Sequence, residues 1–239
     1  MKKIFLLLFV FITTNRAMAQ NEIVVDPNAT TRTLNGSFNK IKISGGIDLF
    51  LSQSDNEAVA VSAAEEKFKE AIKTEIDNGT LKIYYDDGNK NWNLKNKKLR
   101  AYVSFKSLEK LNASGACDVL VSGNIAVESL DMQLSGACDF KGIVKVNTLK
   151  LNLSGASDVK ISGTANTVDI ESSGASDVKG YELVTDVCNA KASGASDINI
   201  TVNKELNASA SGASDIYFKG TGLIKNIHSS GASTVSRKS

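Results

Sequence analysis

The chain has 239 residues, with 28 basic and 26 acidic side chains, one His, one Pro and 6% aromatic residues. Such an even charge balance creates no field to gather nucleic acid or an anionic membrane surface. The single Pro and few aromatics, with many Gly, Ser, Asn and Ala, argue against a conventional globular enzyme and suit a repeat fold with narrow corners.

Lys2 and Lys3 precede an unbroken apolar run from Ile4 to Ile12, and Ala17-Met18-Ala19 forms a small-x-small cleavage site. This order predicts a secretory signal peptide over residues 1–19, with an apolar run too short to span a bilayer. Its removal leaves 25 basic residues against 26 acidic ones. No Cys follows the cleavage site, so no lipid anchor is expected there, and no later stretch reads as a transmembrane helix. Residues 20–36 read as a leader, strand-like at Glu22 to Val25. Residues 37–239 read as one domain.

Phe38 to Leu51 reads as strand, turn and strand around Ser44-Gly45-Gly46-Ile47-Asp48. Val59 and Val61 alternate in the next strand. Ala63 to Lys73 changes period: Phe68, Ala71 and Ile72 stand three and four apart among charged residues, which predicts one short amphipathic helix. Asn78-Gly79 is a hairpin signal between Thr74–Ile76 and Leu81–Tyr85. Asp86 to Asn96, with Trp92 inside it, is polar and turn-rich and is expected to be a mobile or binding loop. Alternation returns at Ala101 to Phe105.

From there one motif recurs seven times, beginning at Ser114, Ser135, Ser154, Ser173, Ser193, Ser211 and Ser230. The intervals are 21, 19, 19, 20, 18 and 19 residues. Each copy varies on Ser-Gly-Ala-Ser-Asp-Val, and Ser44-Gly45-Gly46-Ile47-Asp48 is a degenerate early copy. Within a unit the period is two. Leu149, Leu151 and Leu153 share a face with Ser157, Val159 and Ile161; Lys150, Asn152, Asp158 and Lys160 take the other. A second glycine, as at Gly123, Gly142, Gly163, Gly180 and Gly220, follows at an even offset and keeps that inward set. Two short strands joined at Gly cannot bury an apolar edge alone, but stacked coils can. The expected fold is therefore all-β: a single-stranded parallel β-helix, right-handed by default, of about 19-residue coils ~4.8 Å apart, with regular repeats over 114–239. A β-propeller would need blades of about 40 residues.

Stacking turns each motif position into a column. Position four is inward and small: Cys117, Cys138, Ser157, Ser176, Ser196, Ser214 and Ser233. Cys117 and Cys138 are neighbours in it, and two readings stand open. They are thiols filling serine slots, which the parallel side-chain directions favour, or a disulfide, which export would permit. Cys188 is expected in the core. Position five is an outward column of carboxylates: Asp118, Asp139, Asp158, Asp177, Asp197 and Asp215. Neighbours ~5 Å apart repel by roughly 0.8 kcal/mol even in bulk water. Backbone bonds within the turn, together with Lys141, Lys160 and Lys179 on the same face, are the favoured offset. A row of cations such as Ca²⁺ is the alternative. No phosphate loop, dinucleotide fingerprint or Cys/His zinc spacing occurs. The one His, His228, is expected at the surface of the last coil, and no catalytic residue or cofactor is assigned.

Phe38 to Asp48, Asn78-Gly79-Thr80-Leu81-Lys82-Ile83-Tyr84-Tyr85 and Leu108 to Ala116 resemble the head GIN domain, a family of exported bacterial proteins labelled auto-transporter adhesins. The resemblance runs from about Ser37 to the C-terminus. It implies a parallel β-helix and brings no catalytic residues; no translocating barrel is visible here. The expected function is a non-enzymatic exported envelope protein that presents polar β faces to a glycan or protein. A structural envelope protein self-associating end to end through its last coil is the alternative. A carbohydrate-active enzyme on the same scaffold is the third reading. Periplasm, outer-membrane surface and extracellular space all fit the signal.

Overall fold

The computed structural model describes residues 26–86, 88 and 96–239. The signal peptide, the strand-like part of the leader and the Trp92 segment lie outside them. The elements are β1 (Thr30–Arg32), β2 (Lys40–Ile43), β3 (Asp48–Gln53), β4 (Ala58–Ser62), α1 (Glu66–Ala71), β5 (Ile72–Asp77), β6 (Thr80–Tyr85), β7 (Arg100–Phe105), β8 (Lys110–Gly155), β9 (Val159–Ser172), β10 (Asp177–Ala192), β11 (Asp197–Gly212), β12 (Asp215–Lys219), β13 (Leu223–Gly231) and β14 (Thr234–Arg237). They stack as a parallel β-solenoid of about five turns.

The alternation in sequence is the cross-section of the coil. Leu149, Leu151, Leu153, Ser157, Val159 and Ile161 are all buried, while Lys150, Ser154 and Lys160 face solvent. Side chains that leave a strand on opposite faces allow no other arrangement once one face is packed. Parallel pairing then repeats the coil in register: Asp177 opposes Asp197, which opposes Asp215, which opposes Thr234. Leu149, Val168, Cys188 and Leu206 form one such inward row, which places Cys188 wholly in the core.

The corner before each aspartate depends on glycine. Gly194 has φ +81°, and a Cβ there would stand 2.6 Å from the Gly174 carbonyl oxygen of the preceding coil. That same carbonyl accepts the Ala195 N–H at 2.8 Å, so a backbone bond still joins the two coils within the bend. Left-handed backbone and close approach together exclude a side chain. The second glycines differ among themselves. Gly180 has no such φ, but a Cβ would meet the Asn199 carbonyl at 2.8 Å, so there only space is required.

The N-terminal end departs from simple sequential stacking. β2 lies between β8 and β6, with Ile41 opposite both Leu111 and Leu81. β3 lies between β8 and β7, with Leu49 opposite Val119 and Ala101. The early motif copy thus packs directly on the copy at Ser114, and Asp118 N–H donates to Asp48 Oδ1 at 3.2 Å. The chain between them, β4 to β7, builds the next layer outward. β5 closes that layer antiparallel to β6, and β4, followed by β1, closes it antiparallel to β7. The Asn78-Gly79 hairpin is formed, with Asp77 opposite Thr80 and Ile72 opposite Tyr85. The helix is shorter than its periodicity suggested. It ends at Ala71, because Ile72 already pairs with Tyr85 as a strand residue. Phe68 of that helix packs against the end of the core.

Candidate binding face

The serine column is the structural centre of the corner. Ser157, Ser176, Ser196 and Ser214 are all fully buried. The Ser196 hydroxyl accepts the Ser193 N–H at 3.2 Å and lies 2.9 Å from the Ser193 carbonyl and 3.1 Å from the Ser172 carbonyl. Ser214 repeats this with Ser211 and Ala192. One buried hydroxyl therefore satisfies backbone groups of its own coil and of the preceding one, groups that would otherwise stand unpaired away from water. The sequence pattern assigned that tie to aspartate. It belongs to serine, whose side chain points inward at the bend.

The aspartates instead tie coil to coil. Asp139 Oδ1 accepts the Asp158 N–H at 3.3 Å, Asp158 Oδ1 that of Asp177 at 3.3 Å, and Asp197 Oδ1 that of Asp215 at 3.2 Å. Lys179 pairs at 3.0 Å with Asp158 of the preceding coil, not with Asp177 beside it. Burial, with the neighbouring carboxylates Asp48 and Asp139, pushes Asp118 up. Burial, with Asp177 and Asp215, does the same to Asp197. Asp215 is held down, chiefly by the Tyr217 hydroxyl at 2.8 Å. Among the described residues no group of three or more His, Cys, Asp or Glu side chains converges to hold a metal ion. The column offers one carboxylate per coil, and those of Asp139, Asp158, Asp197 and Asp215 are turned to the next coil's backbone.

Cys117 and Cys138 are buried in adjacent coils with their Sγ atoms 2.6 Å apart. All three cysteines stand as thiols in the structure. Burial pushes the Cys188 thiol up to about 12, which makes it an inert core residue. His228 is exposed in β13, opposite Ser209.

The face that sequence reasoning missed lies on the strand before the motif glycine. Asn152, Glu171, Lys191 and Ser209 oppose one another in successive coils, with His228 beyond them. Beside them runs the first serine of each motif. Between these two columns lies an open groove of about 790 Å³, reaching from Gln133 and Ser135 past Lys150 and Asn152 to Ser209 and Ser211. Five coils give it a length of about 19 Å at 4.8 Å per step. Its flank is an amide ladder: Asn189 donates to Asp169 at 2.6 Å, Asn207 to Asn189 at 2.9 Å and Asn226 to Asn207 at 2.8 Å. Lys191 and Glu171 pair across coils at 3.0 Å, with side-chain exposures of 69% and 59%. A pair so exposed is held weakly and can exchange its partner for a ligand. The signal was present in the sequence as outward positions three before and one before the glycine. The serine is constant, but the residue three before the glycine varies in type, so only the register shows that position as a column.

A solenoid with a polar groove along its axis is a scaffold for binding extended ligands. Residues 37–222 match the family described as "Putative auto-transporter adhesin, head GIN domain", and the chain belongs to that family. The fold is shared with a crystal structure described as a putative adhesin from Bacteroides fragilis, at 22% identity and a TM-score of 0.81, covering 89% of this chain and 98% of that one. A putative adhesin from Parabacteroides distasonis matches at 19% identity and a TM-score of 0.71, over 89% and 98% of the two chains. A protein from the same species described as a putative lipid binding protein matches at 21% and 0.66, over 88% and 98%. No curated protein matches the chain. No helix among the described residues is long and apolar enough to cross a membrane.

Proposed function

We propose that the protein is an exported, non-enzymatic adhesin module that binds a linear glycan along the groove between Gln133 and Ser211. The observation that carries this is a serine hydroxyl repeated at one spacing over five coils, flanked in each coil by a further polar side chain. A polymer with its own repeat meets an equivalent hydroxyl coil after coil in Ser135, Ser154, Ser173, Ser193 and Ser211, beside a polar side chain that differs from coil to coil, and gains by multivalency what no single contact supplies. The groove carries Lys150 and Lys191 against Glu171, which favours neutral or weakly acidic sugars. Family membership supports the adhesin reading, and the signal-like residues 1–19 support export. The test is an array of neutral, uronic-acid and amino-sugar oligosaccharides, probed with wild type and with Asn152→Ala/Lys191→Ala. Binding by wild type that falls at least tenfold in the variant is expected. Equal binding by both removes the groove as the binding site.

A second reading, self-association, is supported by the last coil. Among the described residues β13 pairs with β11 alone, and Leu223 (69% exposed), Ile224 and Ile227 are open to solvent. The opposite end is closed by short antiparallel strands and α1, so assembly through this coil joins like ends into a closed dimer rather than a filament. Light scattering that gives a monomer at high concentration sets this reading aside.

A further inference from the structure

We propose that Cys117 and Cys138 form a disulfide that staples two adjacent coils where the serine column begins. The column runs from Ile47 through these two cysteines to Ser157 and onward, and all of its members down to Ser214 are buried. From Ser157 on, hydroxyls bind the backbone of the corner, and Ser157 Oγ still serves Cys138 N–H at 3.2 Å. A thiol is too weak a donor and acceptor to do this work. The two positions that lack the hydroxyl are neighbours, and each sulfur faces the other at 2.6 Å with no atom between. Parallel coils set their Cα atoms about 4.8 Å apart, inside the span of roughly 4.4–6.8 Å that a disulfide bridges. The bond also falls on the longest interval of the array, the 21 residues from Ser114 to Ser135. The chain has returned from the β4–β7 layer at Lys110, so this interval is the first of the regular stack. Cross-linking that loop removes conformational freedom from the unfolded chain.

The bond forms by exchange. One cysteine thiolate attacks a sulfur of an incoming disulfide, either oxidised glutathione or the active-site disulfide of an oxidoreductase, and expels one of its thiolates. The other cysteine thiolate attacks the mixed disulfide and releases the second. The two protein thiols lose two protons and two electrons, and the incoming disulfide becomes two thiols. Both cysteines are buried once the coils close, so the exchange takes place on the folding chain. In the cell the bond rests on the export proposed above; in a glutathione buffer it does not.

The full chain is refolded in oxidised and reduced glutathione, denatured without reductant, alkylated and weighed. One alkylated cysteine, Cys188, is expected. The tryptic peptide Leu111–Lys141 should be lighter by two hydrogens, and cleavage after Glu128 should leave its halves joined. Three alkylated cysteines, or a bond to Cys188, overturn the proposal. A bond found after refolding but absent from protein recovered from an expressing bacterium counts against export, not against the staple. The variant Cys117→Ser/Cys138→Ser restores the serine column and is expected to fold, melting several degrees below the oxidised wild type. Equal melting overturns the stabilising role.

Discussion

The carboxylate of Asp215 accepts the backbone N–H of Thr234, 2.9 Å away in the next coil. Asp48, Asp139, Asp158 and Asp197 likewise serve the coil that follows them, and the last copy of the motif carries Thr at this position. Asp158→Ala removes the acceptor for the Asp177 N–H and the partner of Lys179. A loss of about 1 kcal/mol is expected, since a net hydrogen bond contributes roughly that much and the ion pair is exposed. Asp158→Asn keeps an acceptor and relieves repulsion, and should lie within about 0.5 kcal/mol of wild type. Urea unfolding of the two variants measures both.

The glycine corners separate conformation from space. Gly194→Ala meets both a left-handed φ and the Gly174 carbonyl, and is expected to cost more than about 3 kcal/mol or to prevent folding. Gly123 has φ +74°, but a Cβ there would meet nothing within 4 Å, so Gly123→Ala should cost only about 1 kcal/mol. Thermal melts of the pair give the ratio; equal losses would show that the coil-to-coil contact is not what excludes a side chain.

Acid stability has two opposed parts. Asp118 and Asp197 are raised, so their ionised forms are disfavoured in the folded state, and stability increases as pH falls through their folded values. Asp26 is lowered: burial pushes it up, but hydrogen bonds from Tyr102, Ser62 and the Asn28 backbone, with Arg100 nearby, outweigh that. Its contribution is complete above the unfolded value of about 3.9 and is lost as pH falls through its lower folded value. Unfolding free energy should hold or rise slightly from about pH 6 toward about pH 4, then fall. In Asp197→Asn the rise should shrink while the fall remains.

The aspartate column gives a direct metal test. Asp139, Asp158 and Asp197 each commit one oxygen to a backbone N–H of the next coil, so Ca²⁺ or EDTA should leave the melting temperature unchanged. A shift of several degrees that saturates with Ca²⁺ would instead establish the cation row.

How much was readable follows from what each feature depends on. Leu149 to Ile161 declared their faces by alternation alone, and the even glycine offsets kept the register, because both are local consequences of strand geometry. Asp48 also declared its motif copy. That β3 packs against β8 with β7 outside it was not visible: the order depends on which edge the chain from Ser54 to Glu109 covers, and period says nothing of that. The corner tie was assigned to aspartate because aspartate caps turns in general. Here the bend points the serine inward, and burial then demands its hydroxyl. The groove escaped because Gln133, Asn152, Glu171, Lys191 and Ser209 share a column but no residue type.

The most direct measurement is an amide chemical-shift titration of the folded chain with the tightest-binding oligosaccharide from the array. Perturbations are expected to follow the row Asn152, Glu171, Lys191 and Ser209 and the adjoining motif serines, spaced one per coil. Shifts confined to the aspartate face, or to Leu223–Gly231, would contradict the groove as the binding site.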